Sequence, residues 1–592
     1  MMSLETSIED REPSYSAVVA IDIGTANSGF MFSQKRFPNR VKQAALEPKE
    51  PTILLLTPER RFDSFGQKAR ERYEKLHEDE AHRWFYFERF KMELHATKYL
   101  SEETWIKAMN EKEMKAKDVF AHALAYFKEE AEKALKMRSR RIKWVLTVPA
   151  IWTQRARQFM RDAAYQAGLA SGDEPRRIVI ALEPEVASLY VRTTSPPFAR
   201  TGREGLLTYA RSRSSLRRSL RSESPCDTYL IVDCGGGTVD CIAHEQRSSD
   251  GYLVEKSLPS GGPWGSTRVD ANFEQLLDDI FGNDMTREMK LSEPADWNKM
   301  MLSFELQKME ATLHDDQQFT VPIPESLQRV HSDFGDGETM DDKLNDYNLN
   351  HAGPGKIRLF RRRTLVFTAP IMRKLIDPVV DKIVEHLHVL LKVRELEGVR
   401  SLFVVGGFAR SAILQDRLNR EFSRRVQVVV PKDPIVAVLH GAVLFGHDQQ
   451  VIAERLSAYT YGVSKLEKLN TDDDGAVAPR FRHNVFDTFV RVNQSVGVDD
   501  AVTRRYQTCE PGQLRVTFGV YRSKQEHVEY TTDDGVDTCG QIEIKLKSHR
   551  EDGHGFVDVT MKFGRTEIEV TAKDYTADSV SSGRCKVEFL MI

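Results

Sequence analysis

The chain has 592 residues, and this length indicates about three or four domains, because a single hydrophobic core stops growing well below this size. Hydrophobic residues make up 40% of the sequence and charged residues 29%, as in ordinary soluble globular proteins. The formal net charge of −3 excludes a global attraction to nucleic acid or to an anionic membrane, so we expect neither as a specific partner.

The first structured stretch is Ala17 to Ser33, which follows a polar segment, residues 1–15, that we expect to be disordered. It reads as two strands joined by the turn Asp22-Ile-Gly-Thr25. Gly24 and Thr25 are candidates for a phosphate-binding hairpin. An ordinary β-turn is the alternative, since the DxGT pattern alone is common.

Residues 62–135 are highly charged and helical in character, with an aromatic piece at 84–95 that we expect to pack in a core. Residues 142–149 predict a strand that is stopped by proline, and residues 153–170 have helical spacing. A solvated basic face is the default interpretation for the arginines on that helix, which are Arg155, Arg157 and Arg161.

Residues 178–190 predict a strand that runs into a helix through Glu183-Pro184, where proline suits the first helical turn. Residues 194–226 are rich in arginine and serine and are expected to be a disordered insertion. That insertion is either a tolerated surface loop or a site of phosphorylation-controlled docking or RNA contact.

The central motif of the sequence is YLIVDCGGGTVDCIA, from Tyr229 to Ala243, which predicts two strands joined by a glycine hairpin. Three glycines, Gly235, Gly236 and Gly237, allow the backbone to approach a bulky anion, with N–H groups directed at phosphate oxygens. The flanking Asp233 and Asp240 would repel a polyphosphate unless a divalent cation or water lay between them, which argues for a metal. Together with the first hairpin, the motif predicts the two halves of a nucleotide-phosphate clamp.

The segment after this hairpin, residues 251–277, is a glycine-rich turn that leads into an amphipathic helix. Gly261 and Gly262 in that turn are candidates for a phosphate contact. Residues 297–313 predict a charged helix, and residues 333–350 are interpreted as a polar, acidic surface loop.

The region up to residue 448 alternates strands and helices, which predicts an α/β domain with parallel sheets. Its last part contains a helix, a buried strand that ends in Gly406-Gly407, and three further elements, at 368–397, 402–405, 411–422, 426–430 and 434–445. Beyond Gly446 the pattern changes to alternating apolar and polar residues separated by turns, which predicts an all-β module, most simply a sandwich.

Three motifs stand in the order of the phosphate and adenosine motifs of the actin, sugar kinase and heat-shock ATPase superfamily: Asp22-Ile-Gly-Thr25, Asp233-Cys-Gly-Gly-Gly-Thr238-Val-Asp240 and Val405-Gly-Gly-Phe-Ala-Arg410. Within it, TVPA at 147–150, Glu183-Pro184 and PKDPIVAVLHGA at 431–442 resemble the heat shock protein 70 family. WFYFERFKMELH and SGGPWGSTRVD are more specifically similar to its divergent A12-type branch.

The resemblance implies an α/β fold: a two-lobed, actin-like ATPase domain with ribonuclease H-like lobes at 16–448. A linker at 449–480 and an all-β sandwich-like module at 481–592 would follow, the latter similar to a degenerate peptide-binding domain. The family's helical lid and acidic tail have no counterpart in the sequence. Fast peptide release is therefore expected, and co-chaperones that read the linker or the tail are not expected to act.

The resemblance also implies that the cleft between the lobes binds ATP or ADP with Mg²⁺. Thr25 and Thr238 would contact the terminal phosphate. The magnesium shell would be held, mostly through water, by Asp22, Asp233 and Glu183. Asp233 is then the best-placed base or water-orienting group, which suits phosphoryl transfer, where positioning and charge neutralisation dominate.

At the other end of the cleft, Gly406, Gly407 and Arg410 would hold the adenosine, with the guanidinium stacked on the base. Asp433 would lie close by, and Lys308 would contact adenine from a neighbouring helix. In the same family pattern, Pro149 and Arg157 match the positions that relay the nucleotide state to the peptide-binding domain.

The sequence departs from the family pattern at several of these positions. In the family, the lysine beside the attacking water lies three residues after a phenylalanine. In this chain the residue three positions after Phe87 is Phe90, and Lys91 matches only with a one-residue shift. Three other family residues are also replaced. Ala26 stands for the second threonine of the first hairpin, Phe408 for the small polar residue after the adenosine glycines, and Met309 for an arginine on the adenine-contacting helix. Low nucleotide affinity or relaxed base selectivity is expected from these changes.

Three functions compete on this basis. The first is an ATP-binding, chaperone-like protein with slow Mg-dependent hydrolysis, acting on unfolded peptide or a client protein. The second is a nucleotide-sensing scaffold that closes around ATP without useful hydrolysis. The third is a small-molecule kinase, which is disfavoured because no sugar-binding loop with a catalytic aspartate is found. The six cysteines, without CxxC spacing, and the absence of an apolar signal or membrane segment favour the cytoplasm or nucleus.

Overall fold

The computed structural model describes residues 14–44, 47–96, 100–194, 228–247, 249–312, 314, 316–334, 337–351, 353–468, 481–546 and 553–575. Residues 1–13 of the predicted tail and residues 195–227, which hold almost all of the predicted insertion, lie outside the described residues. None of the helices in these ranges is long and apolar enough to cross a membrane.

The first lobe is built on a sheet with the strand order β11-β10-β1-β2-β3, in which β4 also pairs with β2. Its strands in chain order are β1 (Ala17–Asp22), β2 (Asn27–Gln34), β3 (Lys42–Gln43), β4 (Lys49–Pro51), β5 (Ile53–Leu56), β6 (Phe62–Phe65), β7 (Phe85–Glu88), β8 (Trp105–Lys107), β9 (Glu113–Lys115), β10 (Ile142–Val148) and β11 (Ile178–Leu182). Strands β1, β10 and β11 are parallel, and β2 is antiparallel to β1. Because both faces of the parallel strands are covered, they read as nearly continuous apolar runs.

The helices of the first lobe cover this sheet and the two smaller sheets beside it. They are α1 (Gly66–Tyr73), α2 (Glu78–Ala81), α3 (Lys91–Ala96), α4 (Ala116–Leu135), α5 (Gln154–Gln166) and α6 (Glu183–Thr194). Residues 62–135 are therefore not simply helical, since β6, β7, β8 and β9 lie within them. The aromatic side chains of β7 pack in the core, since Phe85, Tyr86 and Phe87 are all buried.

The second lobe repeats the topology of the first, with the strand order β20-β19-β12-β13-β14-β21-β24 and β15 paired to β13. Its strands are β12 (Thr228–Cys234), β13 (Val239–Gln246), β14 (Leu253–Glu255), β15 (Ser260–Gly262), β16 (Gln318–Pro322), β17 (Ile357–Phe360), β18 (Thr364–Thr368), β19 (Val399–Val405), β20 (Gln427–Val429) and β21 (Ile452–Leu456). Again three parallel strands carry one antiparallel hairpin, here β12 and β13. The two predicted phosphate hairpins thus occupy equivalent places in the two lobes.

The helices of the second lobe are α7 (Thr267–Phe281), α8 (Asn283–Ser292), α9 (Pro294–Met309), α10 (Glu325–Phe334), α11 (Met340–Asn350), α12 (Ala369–Leu390), α13 (Ala412–Phe422) and α14 (Ala437–His447). The interpretation of residues 333–350 as a loop is wrong, because α11 occupies most of it. Thr339 and Asp342 form a capping box at the start of α11. Met340, Leu344 and Tyr347 bury one helical face at spacings of four and three residues.

Two helices, α6 and α14, join the lobes by packing against the inner faces of both main sheets. Their side chains share one core with Val18 and Val145 of the first lobe and Ile231 and Phe403 of the second. The helices approach closely at Gly441, where a Cβ atom would lie 1.7 Å from the carbonyl oxygen of Val186. This shared core fixes the two phosphate hairpins on opposite sides of one cleft.

The C-terminal module is a sandwich of two antiparallel sheets, which confirms the predicted fold class. Its strands are β22 (Thr460–Lys468), β23 (Phe481–Val490), β24 (Ser495–Gly497), β25 (Ala501–Gln507), β26 (Arg515–Ser523), β27 (Val536–Lys545), β28 (Phe556–Lys562) and β29 (Glu569–Asp574). One sheet has the order β23-β22-β26-β27 and the other β25-β28-β29, with apolar side chains of both between them. Strand β24 instead pairs with β21, so part of the predicted linker range belongs to the sheet of the second lobe.

Candidate functional site

A cavity of about 390 Å³ lies in the cleft between the two lobes. Its walls include both glycine hairpins, the carboxyl-terminal ends of β1, β12 and β19, and helix α9. The sequence-predicted residues that it brings together are Asp22, Gly24, Thr25, Lys91, Glu183, Asp233, Gly235, Gly236, Gly237, Thr238, Gly406, Gly407 and Arg410. Residues from both lobes therefore face one space, although they are far apart in the sequence.

The two hairpins contact each other at one end of the cavity. A Cβ atom on Gly237 would lie 2.4 Å from Thr25 Oγ1, and one on Gly236 would lie 2.9 Å from the Cβ of Ala26. Only glycine fits at these positions, so the backbone of the second hairpin faces the first directly. The first hairpin is also tight, since a Cβ atom on Gly24 would lie 2.1 Å from the carbonyl oxygen of Asn27.

Four carboxylates are buried at this end of the cleft. Burial, together with Glu183 and Asp240, raises the pKa of Asp233 well above its usual range. Burial also raises the pKa of Asp240, although it accepts a hydrogen bond from the backbone N–H of Ile151 at 3.1 Å. Burial raises the pKa of Glu183 to about 7 despite a neighbouring lysine. Such mutual repulsion among carboxylates is relieved by cations.

Lys91 supplies one of those cations from the first lobe. Its Nζ lies 2.6 Å from Glu183 Oε1, and its side chain is buried. Burial alone would lower the pKa of Lys91, but Glu183 and Asp22 raise it. Arg89 adopts a left-handed backbone with φ of 53° between β7 and α3. The turn places Lys91, the first residue of α3, in the cleft.

A second lysine, Lys49, was missed by the sequence analysis. Its Nζ donates to Asp22 Oδ2 at 2.6 Å, while Thr147 Oγ1 donates to Asp22 Oδ1 at 2.9 Å. Burial would raise the pKa of Asp22, but Lys49 and Lys91 lower it. No sequence signal marks Lys49, because it lies in a three-residue strand between residues of ordinary composition.

The other end of the cavity is more apolar. Gly406 adopts a φ of 88°, and a Cβ atom there would lie 2.4 Å from the carbonyl oxygen of Cys234. Arg410 is exposed beside it, and the same cavity is lined by apolar side chains of α9, of the 3₁₀ turn before α14 and of α14 itself, which include Leu302, Leu306, Met309, Ile435 and Val438. Phe408 is buried in the core of the second lobe and does not fill the cavity. This environment suits a ligand with a flat aromatic ring, because the guanidinium of Arg410 can lie against the face of such a ring.

Four predicted contacts lie elsewhere. Gly261 and Gly262 of β15 pair with Asp240 and Val239, and the missing side chain of Gly261 serves the close approach of the strands. A Cβ atom on Gly261 would lie 1.9 Å from the carbonyl oxygen of Val239. Neither glycine lines the cavity.

The other two residues outside the cavity lining are Lys308 and Asp433. Lys308 is buried, and its ammonium donates to Asp270 and to the carbonyl oxygen of Ser266, so its charge is used within the second lobe. Asp433 is exposed, just before the 3₁₀ turn that leads into α14.

The predicted metal residues have the right chemistry for magnesium held partly by water. Among the residues that the structure describes, no group of three or more His, Cys, Asp or Glu side chains could hold a metal by itself. Magnesium in nucleotide sites keeps several waters and takes one or two carboxylates together with the phosphates. Asp233 and Glu183, whose raised pKa values reflect burial and crowding among carboxylates, fit such a cation.

The arginines of α5 do not form a solvated basic face, contrary to the default interpretation. Arg161 is buried and donates to Glu567 of the sandwich at 2.8 Å through Nε. Arg157 is partly buried and donates to the carbonyl oxygen of Thr566 at 2.5 Å. Helix α5 is therefore an interface with the loop between β28 and β29, which the charge pattern of one helix cannot reveal.

A buried ion pair continues this interface below the cleft. Arg455 of β21 binds Glu185 of α6 through two hydrogen bonds of 2.7 and 2.9 Å, and it also donates to the carbonyl oxygen of Gly564. Glu255 accepts a hydrogen bond from the backbone N–H of Leu456 at 2.8 Å. The helix that begins at Glu183 in the cavity is thus connected to the sandwich through Arg455.

The comparisons with known proteins agree with this architecture. Residues 18–180 match the family model described as "Hsp70 protein". The chain is 36% identical to heat shock 70 kDa protein 12A of Homo sapiens over 640 residues, covering 98% of the chain and 92% of that protein. It is also 36% identical to heat shock 70 kDa protein 12B of Homo sapiens over 642 residues, with the same coverage. Chaperone protein DnaK of Mycoplasmopsis synoviae (strain 53) is 21% identical over 493 residues, covering 81% of this chain and 71% of DnaK.

A two-lobed fold with a phosphate-type hairpin in each lobe defines an actin-like ATPase domain, here followed by a β-sandwich. The chain belongs to the heat shock protein 70 family, and its similarity to the 12A and 12B proteins places it in the A12-type branch.

Proposed function

We propose that the protein binds ATP with Mg²⁺ in the interlobe cleft, hydrolyses it slowly, and couples the nucleotide state to its β-sandwich as a chaperone-like protein. The observation that supports this most strongly is that one cavity holds both glycine hairpins, the Lys91–Glu183 pair and Arg410. Its volume of about 390 Å³ falls in the usual range for small-molecule sites.

The proposed binding mode follows from what each wall of the cavity offers. Backbone N–H groups of the two hairpins and the hydroxyls of Thr25 and Thr238 suit phosphate oxygens. Arg410 and the apolar side chains of α9 suit the base. Magnesium would be held by Asp22, Asp233 and Glu183, largely through water, and when bound it would neutralise charge on the phosphates.

The proposed chemical roles follow from charge and position. Lys91 would hold the attacking water or a phosphate oxygen, while Glu183 keeps its ammonium aimed into the cleft. Asp233 would accept the proton of that water when its carboxyl, whose pKa is raised by burial, is ionised. These roles require positioning and charge neutralisation and no covalent intermediate.

The proposed coupling to the sandwich rests on the contacts of α5 and α6. Glu183 and Glu185 lie on the same helix, the first in the cavity and the second bound to Arg455. A change at the metal shell would therefore act on a helix that also holds β21 and the sandwich. Unfolded peptide or a client protein is the proposed partner of the sandwich, by analogy with the DnaK relatives, which are named chaperone proteins.

The alternative is a nucleotide-sensing scaffold without useful hydrolysis. It is favoured by the replacement of a threonine by Ala26 in the first hairpin, where the family places a second hydroxyl. ATP binding by calorimetry, with single-turnover hydrolysis of bound ATP in the presence and absence of Mg²⁺, separates the two. The ATPase is supported if the parent protein binds ATP and hydrolyses it, with Mg²⁺, faster than the Lys91→Ala variant does. The scaffold is supported if the parent binds ATP but both proteins hydrolyse it only at the background rate. Absence of binding contradicts both.

A further inference from the structure

The residue that this inference concerns is Lys49, on the short edge strand β4. Gly29 of β2 pairs with Lys49, and the segment just after it is bonded to the first hairpin. Thr52 Oγ1 donates to the carbonyl oxygen of Gly24 at 2.8 Å, and the N–H of Thr52 donates to the carbonyl oxygen of Ala26 at 2.9 Å. The backbone of Lys49 is therefore anchored to the hairpin that faces the cavity.

The side chain of Lys49 reaches the bottom of the same cavity. Its ammonium lies 2.6 Å from Asp22 Oδ2, and it is 15% exposed, while Asp22 is 5% exposed at the side chain. The hydroxyl of Thr147 takes the other oxygen of Asp22. Both oxygens of Asp22 thus already accept hydrogen bonds from the protein. Without these contacts they would be free to bind the hydration shell of a cation.

The charge balance at this end of the cleft gives the ammonium a function. The carboxylates there are Asp22, Glu183, Asp233 and Asp240, and the ammonium groups are Lys49 and Lys91. Lys91 is hydrogen-bonded to Glu183 and Lys49 to Asp22, so Lys49 is the ammonium in direct contact with Asp22. An ammonium has three N–H donors, and one suffices for Asp22, which leaves two for phosphate oxygens.

We propose that Lys49 is a second cationic contact of the nucleotide's terminal phosphates, which supplies part of the neutralisation otherwise left to magnesium. The cleft then binds a nucleoside triphosphate with only weak dependence on a divalent cation. This inference rests on the proposed nucleotide binding in the cleft, and it concerns affinity rather than turnover. It assigns to Asp22 the role of positioning Lys49 in addition to any contact with metal-bound water.

The test is calorimetric titration of ATP into the full chain, once with Mg²⁺ and once with EDTA and no divalent cation. In the parent protein, the Kd in EDTA is expected to exceed the Kd with Mg²⁺ by less than about tenfold. In Lys49→Met, which removes the charge and keeps the aliphatic chain, that ratio is expected to rise by at least about tenfold, since a close charge-assisted contact is lost.

Three further variants make the result specific. Lys49→Gln keeps a donor for Asp22 without the charge, so it is expected to behave like Lys49→Met and to replace it if that variant does not fold. Lys49→Arg retains the charge and is expected to keep the parent's ratio. Lys42→Met removes an exposed lysine on the adjacent strand β3 and is also expected to keep it.

The outcomes separate this inference from the proposed function. Equal ratios in the parent and in both neutral Lys49 variants, with ATP still bound in Mg²⁺, would overturn the role of Lys49 alone. A rise of the same size in Lys42→Met would also overturn it, because the effect would then be general surface charge. Loss of ATP binding by the parent in both buffers would overturn the proposed function and this inference together.

Discussion

The ammonium of Lys91 lies 2.6 Å from Glu183 Oε1, and the two residues come from different elements, α3 and α6. Both side chains line the cavity together with Asp22 and Asp233. The pair joins the phosphate end of the site to the helix that also contacts β21 through Glu185. Much of what can be tested in this protein depends on that connection.

The first prediction concerns Lys91 itself. Lys91→Ala is expected to lower single-turnover ATP hydrolysis by about 100-fold, as loss of one preorganised donor does elsewhere, while ATP affinity falls much less. Rapid-quench measurement with the protein in excess over ATP gives the rate, and calorimetry gives the affinity. Lys128→Ala is the control, because Lys128 donates to the carbonyl oxygen of Ala167 outside the cavity. A rate unchanged in Lys91→Ala, with measurable turnover in the parent, would remove Lys91 from the mechanism.

The second prediction concerns the pH dependence of turnover. The pKa of Asp233 is raised well above its usual range by burial and by Glu183 and Asp240, so acid favours its protonated form. A protonated carboxyl cannot accept a proton from water, and hydrolysis should therefore fall as the pH falls through that raised pKa. Asp233→Asn is expected to lose about 100-fold or more in rate and to lose this acid limb.

Single-turnover rates between pH 5.5 and 9 check the second prediction. The control variant is Asp250→Asn, which alters a turn of the second lobe where Asp250 pairs with Arg247. A pH profile of the same shape in the parent and in Asp233→Asn would mean that another group sets the acid limb.

How far the sequence predicts this site depends on the kind of signal. The hairpins at Asp22 to Thr25 and Asp233 to Asp240 were predicted because an acid, glycine and threonine between apolar strands form a local pattern. Lys49 was not, because its role depends on β4 pairing with β2, and a three-residue edge strand leaves no periodicity. Lys91 follows a left-handed turn at Arg89. A residue other than glycine rarely adopts this conformation, so the sequence gives no sign of the turn.

The same distinction applies to the fold. Alternating strands and helices predicted the α/β domain, and alternating apolar and polar residues predicted the sandwich, but polarity hid α11, which lies on the surface and buries only one narrow face. The arginines of α5 have a polar pattern that is equally compatible with solvent and with an interface. Arg161 is buried against Glu567, which lies in a loop more than 400 positions later, and no local window contains both residues.

The third prediction concerns the contact between α5 and the sandwich. Arg161→Ala removes the hydrogen bonds to Glu567 and is expected to weaken docking of the sandwich by about 2 kcal/mol, the range of charged hydrogen bonds. Limited proteolysis and hydrogen exchange should show faster cleavage and exchange at residues 564–568. Arg155→Ala on the same helix is the control, because the Nε and one terminal nitrogen of Arg155 are buried without a hydrogen-bond partner among the described residues.

A charge swap makes the third prediction specific to the pair. Glu567→Arg alone places two guanidinium groups together and should loosen the sandwich at least as much as Arg161→Ala does. The double variant Arg161→Glu with Glu567→Arg should restore protection in part. Full additivity, in the double variant, of the effects measured for Arg161→Glu alone and Glu567→Arg alone would show that the residues do not interact in solution.

The fourth prediction concerns Glu255, which accepts a hydrogen bond from the N–H of Leu456 where β21 joins the second lobe. Burial and the neighbouring Glu185 raise the pKa of Glu255 to about 8, although Arg455 and Arg157 oppose the shift. Because the folded-state pKa lies above the unfolded one, the folded chain holds the proton more tightly. This contribution to stability is complete below about pH 4.5 and is lost as the pH rises through about 8.

Thermal unfolding measured at half-unit steps from pH 5 to 9 checks the fourth prediction. The parent should lose stability across this window by at most about 1.4 kcal/mol per pH unit for this one group. Glu255→Gln keeps an oxygen for the N–H of Leu456 and removes the titration, so its unfolding temperature should depend less on pH. Glu245→Gln alters a solvent-accessible glutamate of β13 that pairs with Lys256 and should leave the slope unchanged. Parallel pH curves for the parent and Glu255→Gln would show that Glu255 is ionised throughout the window, and that the strand β21 is held by an anion instead of a neutral carboxyl.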